Sequence, residues 1–307
     1  MNAIPCISII IPTYNQGHLI GDCIESIRCQ TVSNWEALVI NNFSDDSTEE
    51  VVANFQDSRI RIIRFRNYGV IASSRNEGVK LARAPYVAFL DSDDIWYPTK
   101  IEKTITAIQT GHELVCHANS CIRPDGSIAN VIGRSPAHGA TYYQLLFGDN
   151  CLSTSGVTMS VRLFNAVGGF SEKPEYITAE DYDLWLNVAR SGTSIYFIDN
   201  ILGEYRLHSG NLSYVAERSH QAITEVLKFH FSTNFQFTII NRLRIRKRFG
   251  YASYCCVRRL QDNKQFTPAY KWLIYSIYLW PFAPKIWAAL IYNIIESAWP
   301  VNKCKLV

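Results

Sequence analysis

Apolar and polar positions along the first 110 residues follow two periods. "CISIIIPTY" is an unbroken apolar run of strand length, ended by Pro12. A strand buried on both faces, as in a parallel sheet, has this pattern. Behind it, Leu19, Ile20, Cys23, Ile24 and Ile27 recur at helical spacing. "EALVI" reads as a second buried strand, "EEVVANF" as a helix, "IRIIRF" as a strand, "SSRNEGVKLA" as a helix and "YVAFL" as another buried strand. "PTKIEKTITAIQ" reads as a helix with Pro98 in its first turn. The alternation predicts a doubly wound α/β domain with a mostly parallel sheet and helices on both faces. Ligands in such sheets sit outside the carboxyl ends of the strands. Thr13–Asn15, Asn41–Asp46 and Asp91–Asp94 all fall at such ends, so they are expected to meet in one cleft.

From about residue 111 the pattern changes. "ELVCHA" and "CIRPDGSIANV" predict strands around a Pro-Asp-Gly turn. "TYYQLLF" predicts a short helix, "SGVTMSV" a strand and "AEDYDLWLNVARSG" a helix stopped by glycine. "SIYFID" and "LGEYRLH" read as a strand pair. Residues 215–307 read as helical, basic and aromatic. The expected divisions are therefore 1–110 and 111–214, two halves of one domain, and 215–307, a C-terminal helical extension.

Charge sharpens the last boundary. The net +3 of the 307 residues hides a split: 1–214 hold 16 basic and 23 acidic side chains, and 215–307 hold 14 and 4. A basic region of this kind suits an anionic partner. The nine cysteines include no CxxC and no paired Cys/His spacing, as in a reduced compartment and without a zinc site. The N-terminal apolar run is short and lacks a charged flank, so no secretory signal is expected and the chain is placed in the cytoplasm.

Within the expected cleft, Asp91-Ser92-Asp93 follows "YVAFL". Two carboxylates at i and i+2 leaving a strand can face one ligand. Mg²⁺ takes one or two protein carboxylates and completes its shell with water and phosphate oxygens. A solvated acidic turn capping the next helix is the other reading, and Asp94 is expected to cap that helix. Arg75 and Asn76 fall early in a helix, where the guanidinium could pair with phosphate or with Asp91. Asn41 and the following "NNFSDDST" could read a base or ribose edge, with Asp45 or Asp46 capping the next helix. Asp181 shares a helical face with Leu184, Trp185 and Val188, so that face packs inward and Asp181 stands at its upper edge. A carboxylate there is a candidate general base, or simply an acid stabilising a helix N-terminus. His208 is a structural histidine or, beside an acidic cleft, a third metal ligand or diphosphate contact.

In order, "SIIIPTYNQ", "INNFSDDST", "SRNEGVKLA", "FLDSDD", "GGF", "AEDYDLWL" and "YRLHSGNLS" resemble family 2 glycosyltransferases of the GT-A fold, over about residues 5–214. Each motif alone is weak, but seven in order are specific. The resemblance implies a Rossmann-like sheet and transfer of a sugar from a nucleoside-diphosphate donor to a glycan or lipid-linked acceptor hydroxyl, usually with inversion, in bacterial surface-polysaccharide synthesis. It implies that Asp91 contacts the ribose and that Asp93 binds Mn²⁺ or Mg²⁺ at the diphosphate, with Asp91 and His208 as further metal candidates. Asp181 would deprotonate the acceptor. Pro12, Thr13, Tyr14, Asn15, Asn41, Arg75, Asp91, Ser92 and Asp93 would form the nucleotide site. Where the family often has an acid that reads uracil, this chain has Asn41; UDP is the leading donor, with dTDP and GDP as alternatives. Phe43 also replaces a commonly small residue.

The basic tail is also aromatic. Its longest uncharged stretches, Trp272–Pro284 and Ile286–Ile295, fall short of the roughly 18 apolar residues of a spanning helix. Trp, Tyr, Arg and Lys together favour a membrane interface, so 240–300 is expected to touch the inner face of the cell membrane or else to pack as a helical cap. No recognisable nucleic-acid module accompanies the basic run, and nucleic acid is not an expected partner. Two rival functions remain: a silent nucleotide-sugar-binding scaffold, and a sugar nucleotidyltransferase. The second would need a glycine-rich phosphate loop that "IPTYNQG" lacks.

Overall fold

The computed structural model describes residues 4–137, 139–208, 215–234 and 238–298. The chain forms two compact units, 1–209 and 210–307.

The first unit is built on one nine-stranded sheet. Strands β1 (Ile7–Thr13), β2 (Trp35–Asn41), β3 (Ile60–Arg64) and β4 (Tyr86–Phe89) alternate with helices α1 (Ile20–Arg28), α2 (Thr48–Asn54) and α3 (Ile71–Leu81). These four strands pair in parallel in the order β3-β2-β1-β4. Every residue of β1 is buried, which explains its largely apolar run; the one internal polar residue, Ser8, donates to Glu36 Oε1 at 2.6 Å. Ile7, Ile9 and Ile11 pack with Ile20, Ile24 and Ile27 of α1 on one face. Ile10 points to the other face, beneath Gly78 of α3.

Beyond β4 the sheet becomes mixed. It continues through β8 (Val157–Ser160), β6 (Leu114–Ile122), β9 (Ile195–Arg206) and β5 (Ile95–Trp96), and β7 (Ile128–Ile132) pairs with β6. Helix α4 (Lys100–Gln109) precedes β6, α5 (Tyr142–Phe147) and α6 (Val161–Ala166) flank β8, and α7 (Glu180–Arg190) precedes β9. The expected strand pair "SIYFID"/"LGEYRLH" is instead one strand. Its pairing with β6 slips between His117↔Ile198 and Ala118↔Ile201, and the polar Asp199–Asn200 step is taken up as a bulge rather than a hairpin turn. Pro98 also lies outside its helix, one residue before the N-cap Thr99.

The second unit contains α8 (Ala216–Asn234), α9 (Ile239–Asp262), α10 (Phe266–Leu279) and α11 (Pro284–Ala298). Val257, Leu260, Trp272, Leu273, Ile286 and Ala289 form its core. Buried amides tie the helices: Gln261 Nε2 donates to the Ala289 carbonyl at 2.8 Å, and Asn293 Nδ2 to that of Phe266 at 3.0 Å.

Candidate active site

The carboxyl ends of β1 and β2 meet through side chains of their loops. Pro12 and Thr13 end the buried strand β1, and Tyr14 is 54% exposed just beyond it. Asn15 takes a positive φ of 52°, a conformation asparagine tolerates. Its N–H donates to Ser44 Oγ at 2.9 Å, and its Oδ1 accepts from the Asp45 N–H at 3.0 Å. Asp46 holds the same junction, accepting from Gly17 N–H and Thr48 N–H at 2.9 and 3.0 Å. Thr13 is buried, and its hydroxyl has no hydrogen-bond partner among the described residues.

The Asp91–Asp94 turn leaves β4 with each carboxylate in a different role. Asp91 Oδ1 accepts from Arg75 Nη2 at 2.7 Å. Ser92 is buried. Asp93 Oδ2 lies 2.8 Å from His208 Nε2. Asp94 is 1% exposed; it accepts from Ser155 Oγ at 2.5 Å and from the Arg206 N–H at 3.1 Å. Its expected role as a helix cap is therefore wrong. The turn folds Asp94 inward, where it fastens β4 to β9 and the Ser155 segment, while the N-cap position of α4 is Thr99.

The acidic start of α7 closes the site. Leu184, Trp185 and Val188 are fully buried, and that face holds Asp181 at its top. Asp181 Oδ2 accepts from Asn150 Nδ2 and Thr154 Oγ1, each at 3.2 Å. Its neighbour Glu180 is buried and accepts from Arg75 Nη1 at 2.8 Å and from the Thr178 N–H at 2.8 Å. Thr178 reaches this bond at a φ of 84°, costly for a β-branched residue. Strain of this kind, worth roughly 1–3 kcal/mol, collects at functional sites. Arg75 thus bridges the turn after β4 and the start of α7.

The sequence model described as Glycosyl transferase family 2 matches residues 8–156, and that of Glycosyl transferase family group 2 matches 86–300. The chain belongs to glycosyltransferase family 2. It is 35% identical, over 67% of its length and 79% of the relative's, to the UDP-Glc:alpha-D-GlcNAc-diphosphoundecaprenol beta-1,3-glucosyltransferase WfgD of Escherichia coli. Its fold is that of S. aureus TarS 1–349, solved with UDP-GlcNAc (TM-score 0.56, 17% identity, 96% of this chain and 91% of that one). It is also that of the mannosyltransferase PcManGT of Pyrobaculum calidifontis, solved with GDP-Man and Mn2+ (TM-score 0.56, 16% identity, 98% and 89%). The GT-A architecture expected from the motifs is therefore present.

In this family 2 enzyme burial shifts the acids of the site. Burial and the charge of Asp91 push the Asp93 carboxyl up, opposed by His208. Burial and the charges of Asp93 and Asp91 push Asp94 well up, favouring its protonated form. Burial, then Glu180, raise Asp181 to about 6, with Arg75 pulling the other way. Burial works against the Arg75 cation, but Asp91 and Glu180 more than offset it and raise its pKa.

Not every expected residue comes to the site as expected. Asp93 and His208 are brought together, but Asp91 turns to Arg75. No group of three His, Cys, Asp or Glu side chains is gathered among the described residues to hold a metal ion. Asn41 is fully buried, and its amide is engaged by neighbouring side chains. Its Nδ2 donates to Glu49 Oε1 at 2.7 Å and its Oδ1 accepts from Ser44 Oγ at 2.6 Å. An acid at position 41 would face the Glu49 carboxylate, so the donor that asparagine supplies explains the departure from the family pattern. Thr154 and Ser155 are site residues that the sequence reading passes over. They lie in a single 3₁₀ turn, Thr154–Gly156, and serve Asp181 and Asp94 respectively. Their signal is faint: a Ser/Thr/Gly stretch just before an apolar strand.

Proposed function

We propose that the protein transfers a sugar, with inversion, from a UDP-sugar to a hydroxyl of a lipid-linked or glycan acceptor in bacterial surface-polysaccharide synthesis. The observation that supports the reading is the Arg75 bridge, which ties Asp91 of the turn after β4 to Glu180, the neighbour of Asp181 at the start of α7. WfgD, whose donor is UDP-Glc and whose acceptor is a GlcNAc-diphosphoundecaprenol, favours this donor class and a lipid-linked acceptor.

Asp91, paired with Arg75, orients the ribose, and the unpartnered Thr13 hydroxyl offers the nucleotide a hydrogen bond. Asp93 and His208 fit a divalent cation, because their carboxylate and imidazole can be completed by diphosphate oxygens and water, as Mn²⁺ or Mg²⁺ requires. When bound, the cation would neutralise charge on the leaving diphosphate.

Asp181 takes the proton from the acceptor hydroxyl as that oxygen attacks the anomeric carbon. Asn150 and Thr154 hold its carboxylate, and burial raises its basicity toward neutrality. A lipid-linked acceptor would place the reaction on the cytoplasmic face of the cell membrane, with residues 240–300 as the part of the chain that meets it.

The test is transfer from UDP-sugars with Mn²⁺ to a GlcNAc-diphospholipid. Asp181→Asn is expected to slow transfer by about 10²–10⁴-fold while UDP affinity stays within about twofold. Unchanged turnover would remove Asp181 as the base.

A further inference from the structure

Helix α11 is apolar on two opposite sides. Ile286, Ala289 and Asn293 pack inward. Trp287, Ile291, Ile294 and Ala298 recur at i, i+4, i+7 and i+11 on the other side and are exposed, Ile291 at 59%. A helix apolar all round is normally covered. The 15 residues of α11 are too few to span a bilayer, and no described helix is long and apolar enough to do so.

Exposed apolar side chains also flank the turn that precedes α11: Tyr278, at the end of α10, and Phe282, in the turn, are 69% and 77% exposed. The turn is built rather than loose: Trp287 Nε1 donates to the Pro281 carbonyl at 2.7 Å, and the Trp280 ring lies 5.4 Å from that of Phe282. Cations from α9 rim it. Arg246 donates to the Tyr278 carbonyl at 3.0 Å, and Lys247 Nζ lies 5.8 Å from the Trp280 ring. Helix α9 carries seven basic residues and one acid.

We propose that this face, the α10–α11 turn and the outer stripe of α11, inserts shallowly into an anionic lipid bilayer, with Arg246 and Lys247 at the headgroups. The proposal deepens the membrane reading above by naming the surface. Aromatic and aliphatic side chains take the acyl boundary, and the rimming cations meet lipid phosphate. A second copy of the chain is a poorer occupant, because self-association would bring the same cations together at the rim.

The full chain is co-sedimented, without nucleotide, with phosphatidylcholine vesicles that contain or lack phosphatidylglycerol. Binding is expected only with the anionic lipid and is weakened by 0.5 M salt. Phe282→Asp with Ile291→Asp should lower partitioning at least tenfold, and Arg246→Gln or Lys247→Gln about fivefold each. Circular dichroism and donor hydrolysis in vesicle-free solution serve as fold controls. Absence of binding by the wild-type chain, or unchanged binding by the aspartate variant, overturns the proposal. So does a dimer in sedimentation velocity that the aspartate variant dissociates while vesicles are ignored. Donor hydrolysis without vesicle binding sinks this face alone; vesicle binding without hydrolysis or transfer sinks the enzymatic reading alone.

Discussion

Arg75 is the residue on which the site depends most. It is 4% exposed and holds two carboxylates, Asp91 and Glu180. Removing one member of a buried ion pair leaves charge without compensation and costs about 3–5 kcal/mol. Arg75→Ala should lower the unfolding free energy obtained from urea denaturation by that amount, mostly through the buried Glu180 arm; Asp91 is partly wetted and contributes less. Arg75→Lys should rescue only part, since a single ammonium cannot reproduce the two-armed geometry. Asp181 gives a second test at this scale. Its carboxyl is raised to about 6, and a base works only when unprotonated. The kcat/KM for transfer should therefore fall as pH drops through about 6 and level off above it. The Thr154 hydroxyl favours the charged carboxylate, so Thr154→Val should move that limb to higher pH.

At the scale of elements, close approach decides which sequences fit. Gly78 lies within α3, where an exposed glycine would gain about 1 kcal/mol on conversion to alanine. A Cβ there would stand 2.4 Å from Ile10 Cγ2 of β1. Overpacking should outweigh the helical gain, and Gly78→Ala is expected to destabilise by about 1–3 kcal/mol in chemical denaturation. Gly156 plays the same part in the Thr154–Gly156 turn, where a Cβ would meet the His117 carbonyl at 2.6 Å. That tight passage lets adjacent residues of one short turn serve two motifs. The strands and helices around it were legible, because burial imposes a period of two or an apolar run on strands and a period of 3.6 on helices. The turn was not, because Ser, Thr and Gly impose no period.

For the molecule as a whole, the charge split runs close to the boundary between the two compact units: 16 basic and 23 acidic side chains up to residue 214, and 14 and 4 after it. The acidic unit carries the proposed donor site, so its ligands should report on it directly. UDP with Mn²⁺ at a hundredfold over its Kd should stabilise the chain by about 2.7 kcal/mol, read as a rise of a few degrees in melting temperature by scanning fluorimetry. Asp93→Asn should remove most of the Mn²⁺-dependent part of that rise while the response to UDP alone persists.

The sequence by itself determined the alternation of strands and helices, the family and the basic aromatic tail. Those properties depend on near neighbours and on the order of short motifs. Only the tertiary structure decided what each acid does. It joined Arg75 to Glu180 across 105 residues, turned Asp94 from the expected cap into a fastener for Ser155 and Arg206, and paired the Asn41 amide with Glu49. A carboxylate's role depends on which distant donor lies within about 3 Å of it. No local pattern encodes that distance.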